Sequence, residues 1–217
     1  MSSGSTDAFA RSLDRDLTTA IISDALDAEA FRDQVLHAPL VSLTIGDRVV
    51  GRARTLVFAP ASDDGGEDPY RAAIDFIDSL ASGDIVVIAT GESRASACWG
   101  ELFSAAALGS GAVGVVTDGC VRDVANIRAL GMPVFAASYR PVDYKSRLTV
   151  VGVDVPASIG GVVVVAGDIV MADDDGVVVV PFAAEEAVFM RARQRLAGEM
   201  IVLSDLLSGA SLATVWN

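Results

Sequence analysis

The sequence predicts an α/β domain with layered β/β/α architecture, and three observations carry that reading. Helix-type and strand-type apolar patterns alternate through the first half, and short Val/Ile-rich runs separated by Gly, Pro and Asp turns fill the second. Neither an internal repeat nor a linker-like stretch interrupts the 217 residues. That length suits one sizeable core and is marginal for two. The chain is therefore read as one domain over 1–217, with a polar, flexible leader at 1–14.

The elements follow in order. Leu17 to Ala30 places apolar residues at helical spacing, with Asp and Thr near its start, which predicts a helix. Val49 to Phe58 alternates around Gly51, Arg52 and Arg54, as a strand with one buried and one polar face does. Pro60 to Pro69 is acidic and glycine-containing and reads as an exposed, mobile loop. Tyr70 to Leu80 reads as an amphipathic helix, Ser82 to Asp84 as a turn, and the apolar run Ile85 to Ala89 as a buried strand. From Gly100, a small-residue helix, a glycine turn and a strand over Ala112 to Thr117 complete a βαβ-type unit. Short strands are expected at Val150 to Val155, Gly161 to Val165, Asp168 to Met171 and Gly176 to Val180. Pro181 stops the last of them. Ala183 to Ala197 predicts a helix, with Glu185 and Glu186 at its start and Arg191, Arg193 and Arg195 further along, a polarity that complements the helix dipole.

Composition narrows the function classes. A hydrophobic share of 52% is high, yet no uninterrupted apolar stretch reaches the roughly 20 residues a membrane helix requires. The opening MSSGSTDAFARS lacks a basic head and an apolar stretch, so a soluble, cytoplasmic protein is expected. The formal charge of −13 argues against nucleic acid, whose binding draws on clustered Lys and Arg. Cys98 and Cys120 make no disulfide framework and read as two small buried thiols. The apolar excess suits a tightly packed core and buried subunit interfaces.

The chemistry concentrates in two segments. The strand ending at Thr117 runs into Asp118-Gly119-Cys120-Val121-Arg122-Asp123, and ligand sites of α/β sheets lie just beyond the carboxyl ends of strands. Arg122 can grip a carboxylate or enolate oxygen with parallel donors, and Asp123 can offer a hard oxygen to a divalent cation. Adjacent strand residues point oppositely, so a turn is required, and Gly119 is the candidate. On these residues alone an ordinary strand-end ion pair is an equal reading. The second segment is Trp99-Gly100-Glu101-Leu102-Phe103, whose place at a helix start leaves backbone N–H groups free for an anion.

Other features carry less. The single His37 makes a histidine-rich zinc site or a Ser-His-Asp triad poorly supported. Asp173-Asp174-Asp175-Gly176 lacks the spacing and terminal Glu of a calcium loop and reads as a tight turn. Gly109-Ser110-Gly111 follows a helix instead of preceding one, so it reads as a helix C-cap, not a dinucleotide fingerprint. No Walker-type lysine motif is present.

The stretches GELFSAAALGSGAVGVVTDGCVRDVANIRALGMPVFA and VDVPASIGGVVVVAGDIVMADDDGVVVVP, with TTAIISDALD before them, resemble the 4-hydroxy-4-methyl-2-oxoglutarate aldolase family, whose relatives include the regulator of ribonuclease E activity A. The resemblance implies a swivelling β/β/α fold, homotrimers or pairs of trimers, and an Mg2+- or Mn2+-dependent aldolase that also decarboxylates oxaloacetate. It further implies that Arg122 binds the oxo-acid carbonyl and steadies the enolate, that Asp123 holds the metal through a hydrated shell, and that Leu102 and Phe103 donate N–H bonds to the substrate carboxylate. Glu101 corresponds to an acidic residue that orders a catalytic water, Arg147 to a basic substrate contact, and Glu199 to an acidic residue reaching a neighbouring subunit. One position departs: Asn126 stands where aldolase-type members commonly carry Glu or Asp. A non-catalytic protein-interaction module of the ribonuclease-regulator type is the competing expectation.

Overall fold

The computed structural model describes residues 16–38, 40–62 and 68–215; the leader at 1–14 and the centre of the acidic loop, 63–67, lie outside them. Among these residues the order is α1 (Thr19–Ala28), β1 (Val41–Ser42), β2 (Val49–Pro60), α2 (Arg71–Asp78), β3 (Asp84–Ala89), β4 (Ala97–Trp99), α3 (Glu101–Gly109) and β5 (Gly114–Val121). Then come α4 (Val124–Leu130), β6 (Val134–Tyr139), β7 (Leu148–Val153), β8 (Ala157–Ile159), β9 (Val162–Val164), β10 (Ile169–Asp173), β11 (Gly176–Val180), a 3-10 turn (Phe182–Ala184), α5 (Glu185–Leu207) and α6 (Leu212–Val215).

Nine strands form one mixed sheet in the order β1-β6-β5-β3-β2-β10-β11, with β4 beside β5 and β7 beside β2; β8 and β9 make a separate hairpin. The centre, β2-β3-β5-β6, is parallel. Two-residue periodicity sorts the apolar side chains. In β3, Val86 and Ile88 join a core with Phe76 and Ile77 of α2, Ala107 of α3 and Ile127 of α4. Ile85 and Val87 join a second core with Ile159, Val162 and Val164 of the hairpin and Val177 and Val179 of β11. The other faces of β10 and β11, with Ile169, Met171, Val178 and Val180, pack on Ile22 and Leu26 of α1 and Val188 and Phe189 of α5. The sheet thus curls until its antiparallel end covers its parallel centre, and helices flank both outer faces. This is the expected layered α/β fold. The β3 run is apolar throughout because both of its faces are covered. No helix among the described residues is long and apolar enough to cross a membrane.

Three expectations need correction. The strand expected to stop at Thr117 continues to Val121, and Gly119 lies inside it. A Cβ there would sit 2.8 Å from a methyl of Thr90 and 2.9 Å from its hydroxyl, so the glycine admits a close neighbour and makes no turn. The turn falls at Asp123, whose left-handed φ of 59° starts α4. The last long helix does not end at Ala197 but runs to Leu207. Gly198 inside it costs only about 1 kcal/mol relative to alanine. The real stop is Gly209, with Gly209 N–H bonded to Leu206 O and Ala210 N–H to Asp205 O, both at 3.0 Å. Finally, β1, β4, α4, β6, β8 and α6 are additional elements. The acidic run does form the β10–β11 hairpin turn, and Asp173 accepts from Thr19 N and Oγ1 at 2.8 and 2.6 Å, anchoring the start of α1.

Candidate active site

A cleft of about 250 Å³ opens at the carboxyl ends of β4 and β5 and under the start of α2. Each wall has a local cause. Trp99, at the end of β4, is fixed by Nε1 donating to Ser104 Oγ at 2.7 Å and by an edge contact with Phe103 at 5.6 Å. These contacts set the entry angle of α3. Ser104 N is the first α3 donor bonded back along the helix, to Gly100 O at 3.0 Å. The N–H groups of Leu102 and Phe103, two and one residues earlier, therefore have no acceptor within the helix, and both residues line the cleft.

Arg122 and Asp123 arrive on the turn after β5, and Arg122 N–H donates to Trp99 O at 3.0 Å, tying that turn to β4. The guanidinium reaches Asp143 Oδ2 through Nη1 at 2.9 Å and stands 3.7 Å from Asp123 Oδ2 through Nε. Asp123 Oδ2 also accepts a long bond, 3.4 Å, from Glu101 N–H at the α3 start. The Asp123 side chain stays 43% exposed, so it has coordination capacity to spare. Glu101 Oε2 accepts from Asn126 Nδ2 at 2.7 Å, so the amide at the departing position holds Glu101 in place.

Gly100 is the hinge of this arrangement. A Cβ there would lie 2.9 Å from Asp123 Oδ2 and 3.2 Å from Arg122 Cγ. Gly100→Ala is expected to displace the Asp123 carboxylate while costing little stability, because the closest obstructing atom, Asp123 Oδ2, is a side-chain end. Thermal unfolding should move by a few degrees at most while turnover falls about tenfold or more; a fully active Gly100→Ala protein would show that Asp123 need not sit there.

Asp143, Tyr144 and Tyr70 complete the polar wall, and none was singled out from the sequence. Burial opposes ionisation of Asp143, but the Lys145 N–H at 2.8 Å, the Arg122 guanidinium and Tyr70 outweigh it and hold its carboxyl below the usual carboxylate range. Burial pushes the Cys98 thiol up to about 12, which leaves it a neutral wall residue. Both cysteines are buried and free, as expected. The apolar wall comes from Ile74, Ala97, Trp99 and Phe103.

The remaining candidates lie elsewhere. Arg147 is exposed and donates to the carbonyls of Asp143 and Lys145 at 3.2 and 3.3 Å, outside the cleft lining. Glu199 lies on α5, paired with Arg195 at 2.8 Å, and does not line this cleft. His37 is exposed. Among the described residues no group of three or more His, Cys, Asp or Glu forms a metal cage. The donors at hand, a half-open carboxylate beside a second acid, fit a hard cation that keeps most of its water and is gripped by one or two carboxylates.

Fold and cleft together define an α/β protein with a cleft at the carboxyl ends of parallel strands. The family model described as Aldolase/RraA matches residues 19–179, and the chain belongs to this RraA-like family. A protein from Halalkalibacterium halodurans, provisionally named a 4-hydroxy-4-methyl-2-oxoglutarate aldolase, is 30% identical over 85% of this chain and 82% of its own length. DlpA of Legionella pneumophila is 34% identical over 75% of this chain, which spans only 26% of that longer protein. Among solved structures, Streptomyces coelicolor RraAS2, described as an unusual member of the RNase ES inhibitor RraA protein family, superimposes with a TM-score of 0.82 at 31% identity, covering 89% of this chain and 96% of that one.

Proposed function

We propose that this protein is a divalent-metal-dependent lyase that cleaves a 4-hydroxy-2-oxo acid of the 4-hydroxy-4-methyl-2-oxoglutarate type to pyruvate and decarboxylates oxaloacetate. The observation that carries this reading is the convergence of Arg122, Asp123 and the open α3 N–H groups on one cleft. In the aldol cleavage the C4 hydroxyl gives up its proton and C4 leaves as a carbonyl, in the decarboxylation C4 leaves as carbon dioxide, and in both the C3–C4 electron pair passes into a pyruvate enolate whose C3 then takes a proton. The negative oxygen of that enolate must be stabilised. Arg122 grips the C2 oxygen with its planar fork, while Leu102 and Phe103 N–H groups hold the C1 carboxylate at the helix start. Asp123 is the residue that would hold Mg2+ or Mn2+ through its water shell, and that cation supplies Lewis-acid stabilisation of the same charge. Glu101, steadied by Asn126, orders the water that moves the proton.

The test is to incubate the purified protein with oxaloacetate and with a panel of 4-hydroxy-2-oxo acids, adding magnesium or manganese with and without a chelator, and to measure pyruvate. Turnover that chelation abolishes supports the lyase. No turnover across the panel favours the second reading, a non-catalytic interaction module of the ribonuclease-E-regulator type, which draws support from the uncharged Asn126 and the likeness to RraAS2.

The working assembly in this reading is a cytoplasmic homotrimer or hexamer in which Glu199 serves the cleft of an adjacent subunit. Support comes from the exposed Met200, Ile201, Leu203 and Leu207 around Glu199 on the far end of α5. Glu199→Gln and Arg122→Ala proteins should each be nearly inactive, and co-refolding them should restore activity through mixed oligomers. Exchange of subunits without recovery would place Glu199 in its own chain's service; a fully active Glu199→Gln protein would remove it altogether.

A further inference from the structure

The hydroxyl of Tyr144 is the cleft's unexplained group. Tyr144 lines the cleft yet is only 3% exposed, its ring held edge-on between Phe58 and Tyr70 with both centroids at 5.2 Å. Its hydroxyl has no hydrogen-bond partner among the described residues. Buried polar groups in native proteins are nearly always paired, and an orphaned one costs on the order of 1–3 kcal/mol. Fixed aromatic packing thus gives a cleft-lining residue a buried donor without an acceptor. Burial, then the nearby Tyr70, Asp143 and Cys98, raise the phenol's pKa, so it remains a neutral donor at any physiological pH. Each of those three neighbours also lines the cleft.

The charges around it narrow the acceptor. Among the described lining residues Arg122 is the one cation, set against Glu101, Asp123 and Asp143. Arg122 already serves Asp143 and, in the proposed reaction, the C2 oxygen. With the cation at Asp123 engaged on the enolate oxygen in that reading, a second carboxylate on the substrate would meet Asp143 with no further cationic side chain in the lining to receive it, and like charges in a partly desolvated site repel strongly. Ile74 and Phe103 offer apolar surface instead.

We infer that Tyr144 reads the distal half of the substrate, its buried hydroxyl donating to the C4 oxygen of a 4-hydroxy-2-oxo acid, and that the acidic, apolar surroundings of that hydroxyl select a neutral tail over a second carboxylate. This rests on the lyase reading and, among the 4-hydroxy-2-oxo acids which that reading covers, ranks monocarboxylates such as 4-hydroxy-2-oxopentanoate ahead of dicarboxylates of the methyl-oxoglutarate type.

Tyr144→Phe tests it by removing one oxygen and keeping the ring. Three magnesium-dependent quantities are measured in both proteins: cleavage of 4-hydroxy-2-oxopentanoate, cleavage of 4-hydroxy-4-methyl-2-oxoglutarate, and hydrogen–deuterium exchange at the methyl group of pyruvate, which has no distal half. In Tyr144→Phe, kcat/KM for 4-hydroxy-2-oxopentanoate should fall about tenfold, the scale of one lost hydrogen bond, while exchange falls threefold at most. Its Tm should hold or rise, since the lost hydroxyl had no partner in the fold. The unmodified protein should favour 4-hydroxy-2-oxopentanoate over the dicarboxylate. Equal losses in cleavage and exchange with a lowered Tm would make Tyr144 a structural residue and overturn the inference. So would an unchanged kcat/KM in Tyr144→Phe, no cleavage of the neutral-tail substrate, or a native preference for the dicarboxylate, each with exchange intact and the lyase reading left standing. Absence of both exchange and cleavage in the unmodified protein would sink the lyase reading, and this inference with it.

Discussion

Asp123→Asn is expected to keep the fold and lower metal-dependent turnover at least about 100-fold, the scale set by removing one electrostatic stabiliser from an active site. The fold should survive because Asp123 makes one long backbone contact through its carboxylate, is half exposed, and sits at a left-handed φ of 59° that asparagine tolerates well. What disappears is the single negative charge best placed to grip a hydrated cation. A metal titration of the variant should shift to much higher concentrations while Tm stays within a few degrees. Full activity with unchanged metal dependence would remove Asp123 from the site.

Arg122→Lys is expected to be at least as severe, with a loss of about 100-fold or more. The guanidinium spans Asp143 at 2.9 Å and approaches Asp123 at 3.7 Å while facing the cleft. A lysine ammonium is a point charge that cannot hold two flanking carboxylates and still present a planar pair of donors. A change smaller than threefold would show that the guanidinium does not carry the enolate charge. The pair of variants also separates roles: the Asp123→Asn defect should yield partly to excess metal, whereas the Arg122→Lys defect should not.

Much of the fold was legible because its strands are either alternating or continuously apolar runs between clear turns. The β3 run, the alternation of β2 and the β10–β11 pair all followed from that pattern. The βαβ unit placed Arg122 and Asp123 at the carboxyl end of a strand, and their presence in the cleft fits that expectation. Where the reading fell short, a local rule met tertiary packing. Gly119 looked like a turn, but only the approach of Thr90 explains a glycine in mid-strand. The last long helix was expected to end at Ala197, while the true stop needed the full capping pattern around Gly209. Asp143 and Tyr144 escaped for a different reason. The segment Pro141-Val142-Asp143-Tyr144 follows the end of β6, and the strand-end rule that singled out Arg122 would have flagged it had β6 been recognised as a strand. Tyr70 had no such signal, since its approach to Tyr144 is set by how α2 packs. The Glu101–Asn126 bond was equally invisible: it joins the starts of two helices, 25 residues apart in sequence.

The most direct test of the account is to follow the methyl protons of pyruvate by NMR in deuterium oxide with the purified protein and magnesium, with chelator, and with the Arg122→Lys variant. Stabilisation of a pyruvate enolate by Arg122 and a cation held at Asp123 predicts steady loss of the methyl signal, stopped by the chelator and slowed about 100-fold in the variant. Exchange that persists at the same rate with chelator and in Arg122→Lys, or no exchange in a protein that binds pyruvate and magnesium, would contradict it.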